Sequence, residues 1–567
     1  MQWKDIDLLL EEFRIISIQS LLIERLETIS FIANFGVQRQ LPVYIWNFGQ
    51  QAFWEIRFST ASMDFSDRGD SWEAVFPAQA LSFVQRYAGS AIFIVENLQS
   101  LMAVSLDADA ATKSSALRLR SMLINLLGEW KAKVKTNQKE SVPYLILLGT
   151  DATELPLDLA SAIPELWKPL PDIQEIGIHI DALMQSPVGA GKFCDRLRQC
   201  APRDRNSLIL AATGLSREEI TTGLTLGLKH SQATGNEEAT VINYLLEYKK
   251  ERLKRTLDLD FIAQPNVKGF GGLDRLRNMF EQVKNRYTDA ARNCGLPLPK
   301  GCLLVGPPGT GKSRAVKACA DQLGFPLCIL DVGIIVARGV GYLREIIRRL
   351  EALAPVVVGF DEFDKLFDTE RVSSGEATSN RQILGTLLTW LQEKTSYTYV
   401  IATLNRFNSL PPELTREGRF DRRVYVGFPQ HIERKEIIQL HAQRFDRRYQ
   451  QGDGPLTEAE WRQLLNLTQN FTPAELEQMV IKAANAVFQS HYSMTLPGKC
   501  DRISIQLSLP DFLAQRDTIF TLFSARTDEI LAMENQAKYI CEPASSPDNS
   551  VFAPPLISYW GQRLERN

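Results

Sequence analysis

Short apolar runs separated by stretches of helical spacing organise the first 235 residues. The runs are Ile15-Ile16-Ser17-Ile18, Leu41-Pro42-Val43-Tyr44-Ile45-Trp46, Ala91-Ile92-Phe93-Ile94-Val95 and Tyr144-Leu145-Ile146-Leu147-Leu148, and Ser115 to Trp130 shows the helical spacing between them. Continuous apolar runs of strand length that alternate with helices predict an α/β domain with a largely parallel sheet. None of these runs opens a phosphate-binding turn. Gln19-Ser20-Leu21-Leu22-Ile23-Glu24 follows the first and Asn47-Phe48-Gly49-Gln50-Gln51 the second, neither with a lysine, and the third ends in Glu96-Asn97. Gly189-Ala190-Gly191-Lys192 is a superficial match, with Ser186 where the first glycine belongs and Phe193 where a hydroxyl is needed, so it reads as a loop.

The same alternation returns in the second half. Residues 236–265 read as a linker helix carrying a basic cluster, Lys249, Lys250, Arg252, Lys254 and Arg255, which Glu247 and Glu251 dilute; a solvated helix face is the expected role. Residues 266–430 form a second α/β domain, 431–505 a helical unit, and 506–567 a C-terminal helix and a Pro/Ser-rich tail expected to be mobile. Ser216-Arg217-Glu218-Glu219 and Thr472-Pro473-Ala474-Glu475 both read as capping boxes opening a helix. Each half thus runs from an α/β layer to a small helical unit, and common ancestry of the two halves is an open expectation.

Composition narrows the class. At 567 residues the chain exceeds one core, and 64 basic against 67 acidic residues give no polycation signature for nucleic acid. Eight cysteines without a C-x-x-C pair argue against zinc and suit a reducing compartment. No basic leader and no membrane-length apolar run is present, which points to a cytoplasmic protein, or a stromal one if plastid-encoded.

The chemistry concentrates in the second α/β domain. Cys302-Leu303-Leu304-Val305 leads into Gly306-Pro307-Pro308-Gly309-Thr310-Gly311-Lys312-Ser313, a complete phosphate loop. Pro308, Gly309, Thr310, Gly311 and the following Arg314 are expected at the nucleotide, with Lys312 on the β and γ phosphates and Ser313 on Mg²⁺. About fifty residues on, Pro355-Val356-Val357-Val358-Gly359-Phe360 ends in Asp361 and Glu362, suited to hold the metal shell and to orient or deprotonate the attacking water. Asn405, after Tyr399-Val400-Ile401-Ala402-Thr403, can hydrogen-bond a γ-phosphate or that water; a plain turn asparagine is the alternative. Arg416, Arg419, Arg422 and Arg423 crowd the next loop, where guanidinium groups could stabilise transferred phosphoryl charge or simply be solvated.

Gly269-Phe270-Gly271-Gly272-Leu273, Pro299-Lys300-Gly301, Phe360-Asp361-Glu362-Phe363-Asp364 and Ala402-Thr403-Leu404-Asn405-Arg406 through Gly418-Arg419-Phe420-Asp421-Arg422 together resemble the AAA family of ATPases. Asp331-Val332-Gly333, Glu351-Ala352-Leu353-Ala354-Pro355 and a first α/β domain without a phosphate loop resemble, more narrowly, the AAA proteins of cyanobacteria and algal plastids known as a hypothetical chloroplast open reading frame. The resemblance implies a phosphate-loop AAA domain with a helical lid, preceded by a degenerate AAA-like domain over 1–235. It implies ATP and Mg²⁺ as cofactors, Asn405 as the first sensor, Arg419 and Arg422 as fingers reaching a neighbour's nucleotide, and Phe270 and Gly271 near adenine. It further implies a homo-oligomeric ring, a hexamer, that hydrolyses ATP and remodels a protein client.

Two departures qualify this. Where many AAA unfoldases carry a pore aromatic, the chain has Arg338-Gly339-Val340-Gly341, with Tyr342 as a substitute only in a shifted register; the lid helix offers Ala474-Glu475 in place of an arginine. A nucleotide-gated scaffold with slow hydrolysis is the main alternative, and a nucleic-acid ATPase a third.

Overall fold

The computed structural model describes residues 6–58, 63–67, 72–103, 109–135, 142–150, 153, 155–185, 202–234, 238–267, 271–367, 374–406, 414, 416, 418–450, 452, 454–494, 505–554, 556–557 and 563–564. The Gly189–Lys192 stretch and Phe270 lie outside them. The described part separates into two units: one holds residues 1–249 with Arg344–Ala352, the other Lys250–Leu343 with residues 353–567.

In the first unit the apolar runs become strands β1 (Ile15–Gln19), β2 (Val43–Trp46), β3 (Trp54–Phe58), β4 (Met63–Asp67), β5 (Ile92–Glu96), β6 (Tyr144–Gly149) and β7 (Glu165–Trp167). They form one sheet in the order β4-β3-β2-β5-β6-β1-β7, parallel from β2 to β7 with an antiparallel β3–β4 edge. Every residue of β1, β2, β5 and β6 is buried, as parallel strands covered on both faces must be. Alternation along each strand divides the core. Tyr44, Trp46, Phe93, Val95, Leu145 and Leu147 face one cluster, whereas Val43, Ile45, Ile92, Ile94, Ile146 and Leu148 face another, packed by helix α1 (Arg25–Gln38).

Past the sheet, helix α2 (Arg217–Thr234) opens on the Ser216 capping box, in which the Glu219 N–H donates to Ser216 Oγ at 3.2 Å and the Ser216 N–H to Glu219 Oε2 at 2.9 Å. Within the same unit Arg349 is buried and pairs with Glu219 at 2.9 Å. Helix α3 (Glu238–Leu257) follows, and here the solvated-face expectation fails at one position. Lys249 is 2% exposed, its ammonium donating to the Thr213 carbonyl at 3.1 Å. A lysine stem long enough to pass beneath its helix can bury apolar carbons and still satisfy its charge.

The second unit repeats the architecture with β8 (Asp260–Ile262), β9 (Gly301–Val305), β10 (Leu327–Asp331), β11 (Val356–Asp361), β12 (Thr398–Leu404), β13 (Arg422–Tyr425) and β14 (Glu542–Pro543). Their order is β14-β13-β9-β12-β11-β10-β8. Numbered by their sequence within each unit, the five central parallel strands run 2-3-4-1-5 in both sheets: β2-β5-β6-β1-β7 and β10-β11-β12-β9-β13. The first unit's sheet therefore shares the order of the second's central strands, and no phosphate loop follows its β1.

Helices α4 (Asp274–Arg286) and α5 (Lys312–Leu323) cover one face of this sheet. Helix α6 (Val332–Ala352) is broken at Gly339, whose φ of 81° is left-handed. The lid contains α7 (His431–Ala442) and α8 (Pro473–Met494) around a core of Trp461, Leu476, Phe512 and Phe552, and α9 (Thr527–Ile540) follows. The Thr472 capping box forms as expected. The C-terminal segment departs from the mobile tail expected of its composition: Glu542 to Phe552 is seated, first as β14 beside β13 and finally by Phe552 in the lid core. Proline and serine lower the apolar content of this segment, but backbone pairing at an open sheet edge does not depend on side-chain hydrophobicity. Among the described residues no helix is long and apolar enough to cross a membrane.

Candidate functional site

The buried strand β9 fires the chain out of the sheet at Val305, and the turn into α5 needs backbone conformations that residues with a Cβ resist. Gly309 and Gly311 have φ of 80° and 97°, so successive N–H groups can converge ahead of the positive end of α5. Lys312, the first residue of α5, is 5% exposed and folds back over the loop, donating to the Gly306 and Pro307 carbonyls at 2.7 Å each. Burial pushes its ammonium pKa down to about 8, with Asp361 and Asp364 pulling the other way.

Two neighbouring strands bring an acid and a hydroxyl to the same end of the sheet. Ser313 Oγ lies 3.3 and 3.4 Å from the two carboxylate oxygens of Asp361, at the end of β11. Thr403, on β12, donates to Asp361 Oδ1 at 2.6 Å and accepts from the Glu362 N–H at 3.2 Å. A hydroxyl and a carboxylate on this spacing are hard oxygen donors of the kind Mg²⁺ takes, so the residues present fit that ion. Glu362 turns out of the strand with a left-handed φ of 52° and its half-exposed carboxylate meets Lys365 Nζ at 2.5 Å. Asn405 follows β12 directly, half-buried, its N–H donating to Asp364 Oδ1 at 3.3 Å.

A pocket beside the loop is lined by Gly271, Leu273, Thr310, Gly311, Arg314, Gly427, Pro429, Glu433, Ile437, Leu440, His441 and Pro473. Gly271, Thr310, Gly311 and Arg314 were expected near a nucleotide; Pro308 is exposed on the loop outside this lining. The lid residues were missed. Their signal was helical spacing after Pro429, since Glu433, Ile437, Leu440 and His441 fall at i, i+4, i+7 and i+8 on one face of α7. Burial pushes His441 down to about 4, leaving a neutral imidazole at the pocket wall. Glu433 accepts from the Leu273 N–H at 2.8 Å, and Gly272 packs so tightly on it that an added Cβ would lie 2.5 Å from Oε1.

The arginines are elsewhere. Arg422 begins β13 opposite Cys302, the second residue of β9, whereas the phosphate loop leaves β9 at its far end. At the rise of a strand that is about 10 Å along the sheet. Asp421 anchors this segment by accepting from the Lys300 N–H at 2.6 Å, and Lys300 Nζ donates to the Gly418 carbonyl at 2.9 Å. Arg419 is half-buried, and Arg422 pairs with Glu542 at 2.9 Å. Neither is gathered with Lys312. Tyr342 is also engaged: its hydroxyl donates to the Leu257 carbonyl, beneath Arg338, which pairs with Asp258. The lid's Glu475 is spent on the Thr472 cap and on accepting from the Leu522 N–H at 2.6 Å.

The family model described as the ATPase family associated with various cellular activities (AAA) matches residues 302–428, the span from β9 through β13. A protein of Trieres chinensis named "Uncharacterized AAA domain-containing protein ycf46" is 31% identical over 453 residues, 79% of this chain and 82% of that one. This chain belongs to the AAA family. It stands with the ycf46 AAA proteins: a second, from Gracilaria tenuistipitata var. liui, is 33% identical over 60% of this chain and 67% of its own. More distantly, the "Cell division cycle protein 48 homolog" of Archaeoglobus fulgidus is 32% identical over 39% of this AAA chain and 30% of its own.

The first unit offers a control at the equivalent positions. Gln19 faces Gly149 as Val305 faces Leu404, and Glu96 faces Leu148 one residue earlier, the place Asp361 holds beside Thr403. Arg25 opens α1 as Lys312 opens α5. Its guanidinium grips Glu96 bidentately at 2.5 and 2.8 Å. Asn97 then takes a left-handed φ of 56°, like Glu362, and Thr150 stands where Asn405 does, donating to Asn97 Oδ1.

Proposed function

We propose that this AAA protein binds ATP with Mg²⁺ between the Gly306–Ser313 loop and lid helix α7, hydrolyses it, and acts as a six-membered homo-oligomeric ring that remodels a protein client held by its first unit. The observation that carries this reading is the convergence of Lys312, Ser313, Asp361 and Thr403 at the carboxyl ends of three adjacent strands. Lys312 would exchange its two loop carbonyls for phosphate oxygens, and Ser313 and Asp361 would hold the metal, which would supply positive charge to the phosphates. Glu362 accepts the proton of the attacking water after leaving Lys365, and Asn405 orients that water or the γ-phosphate. The pocket between Gly271 and α7, with Arg314 in its lining, would take the adenine.

Arg419 and Arg422, at the opposite end of the sheet from their own loop, are offered to the next copy. Head-to-tail contacts that close on themselves produce a ring of such shared sites. A soluble compartment, cytoplasm or stroma, suits this role.

Phosphate release by purified chain with Mg-ATP tests the reading. Glu362→Gln should remove turnover while leaving ATP bound; unchanged release would refute the assignment of the water residue.

A second reading is a nucleotide-gated scaffold, in which occupancy sets assembly and hydrolysis is incidental. The glycine at 339 and the engagement of Tyr342 with Leu257 favour it over threading of a polypeptide. Client-stimulated turnover supports remodelling, and client binding that needs ATP but survives Glu362→Gln supports the gate. A nucleic-acid ATPase is less favoured, since Lys249 is withdrawn from the basic cluster.

A further inference from the structure

We propose that Cys541–Phe552 is a cis-acting strap that sets the nucleotide affinity of this AAA site, with Ser545 and Glu433 as its positioning residues; the inference rests on reading the pocket beside the phosphate loop as the adenine pocket. The strap begins on the ATPase sheet. Glu542 and Pro543 pair in parallel with Val424 and Tyr425, the Ala544 N–H donates to the Tyr425 carbonyl and the Leu276 N–H to the Ala544 carbonyl, each at 3.0 Å. The Ser546 N–H then donates to Asp274 Oδ1 at 2.8 Å. Without a break the chain crosses to the lid. Gln430 Nε2 donates to the Ser546 carbonyl at 2.8 Å, the Ile432 N–H to Asp548 Oδ2 at 3.2 Å, and Phe552 is buried in the lid core with Lys435 Nζ 4.4 Å from its ring centre.

Between these two anchorages Ser545 Oγ donates to Glu433 Oε1 at 2.5 Å. The same oxygen accepts from the Leu273 N–H at 2.8 Å, and the other carboxylate oxygen accepts from the Gln430 N–H at 2.8 Å. Glu433 is 7% exposed and lines the pocket. One buried carboxylate therefore joins three parts: the Gly272–Leu273 wall of the pocket, the start of the lid helix and the strap. Removing one of its donors lets the wall and the lid shift independently, and a ligand held between them must then restore the order itself. At its other end the strap occupies Arg422 through Glu542, so a finger engaged in cis is one of the strap's contacts.

Amide hydrogen exchange and steady-state kinetics on the full chain test this together. Before nucleotide is added, the amides of Ala544 and Ser546 should exchange at least about a hundredfold more slowly than in an unstructured peptide. Bound ADP should slow them further, because affinity coupling is reciprocal. Ser545→Ala should raise the KM for ATP about three- to tenfold, the range of one hydrogen bond, with kcat within about twofold. Ser545→Thr should restore KM, and Phe552→Ala should reproduce the KM effect from the far anchorage. Free exchange of Ala544 and Ser546, or a KM indifferent to both Ser545→Ala and Phe552→Ala, would overturn the strap while leaving the ATP site intact. A wild-type chain that binds no adenine nucleotide, measured with a fluorescent ADP analogue, would overturn the site and the strap with it.

Discussion

At the carboxyl end of β9 the chain passes through Gly306–Gly311 into α5, and at the carboxyl end of β1 it passes through Ser20–Glu24 into α1. The two junctions sit at the same point of sheets with the same strand order, one residue apart in length. In the second unit the helix opens with Lys312, paired among the described residues to loop carbonyls that a phosphate can replace. In the first it opens with Arg25, whose fork is already filled by Glu96, while Asn47 donates to that carboxylate at 3.1 Å. An ion pair between residues at the lysine and metal-acid positions satisfies internally what a nucleotide and metal would otherwise satisfy. The comparison teaches that one strand order can be held either by a side-chain contact at this point or by a loop whose lysine is left to carbonyls.

The largest expected effect separates the two junctions by chemistry. Lys312→Ala should lower ATP turnover by at least about a thousandfold, whereas Arg25→Ala should leave turnover per folded chain within about twofold, read by phosphate release. Comparable losses from both would erase the distinction drawn between the sheets.

Next comes the sharing of the site. Arg419→Ala should reduce turnover about a hundredfold or more by withdrawing charge from a neighbour's phosphates. Mixing Lys312→Ala chains with Arg419→Ala chains should recover part of the wild-type rate, because some interfaces then join an intact loop to an intact finger. A mixture no more active than its components would place the arginines outside the shared site.

In the first unit the expected consequence is stability. Arg25→Ala leaves Glu96, whose side chain is 4% exposed, without its cation and should cost about 3 kcal/mol, seen as faster amide exchange in β1 and β5. Replacing both partners, Arg25→Met with Glu96→Gln, should recover much of that.

The smallest effects are in pH. Burial holds Lys312 at about 8 against an ordinary 10.5, so between those values the unfolded chain binds more protons than the native one and the second unit gains stability as pH rises. ATP affinity moves oppositely, falling above about pH 8 as the ammonium is lost. Glu24, beside Arg25, is pushed up to about 7 by burial, against Lys168, Arg348 and Arg349, which lower it, and with Glu27, which raises it. The native first unit then holds the extra proton between 4.5 and about 7, so its stability should fall across that window by an amount of order 1–3 kcal/mol. Glu24→Gln should flatten the profile, measured by exchange in β1.

Much of this organisation is legible in the sequence. The apolar runs marked β1, β2, β5 and β6 because fully buried parallel strands leave continuous apolar sequence, and the fixed spacing of Gly306 to Ser313 marked the loop. The Arg25–Glu96 pair was hidden because its members stand 71 residues apart and meet only through the β1–β5 topology. Thr403 read as one more β-branched strand residue, and only its cross-strand register beside Asp361 gives it a role. The seated strap was misread because composition reports side chains, and its first hold on the sheet is through backbone. Lys249 was hidden for the opposite reason: it stands in a charge run, but helical spacing sets it with the buried Leu245 and Leu253.

The central claim is that one of two sheets with the same central strand order holds nucleotide. Equilibrium binding of Mg-ATP to the Glu362→Gln chain measures it directly. The account predicts one nucleotide per chain, lost on Lys312→Ala and unchanged by Arg25→Ala; two per chain, or binding that survives Lys312→Ala, would contradict it.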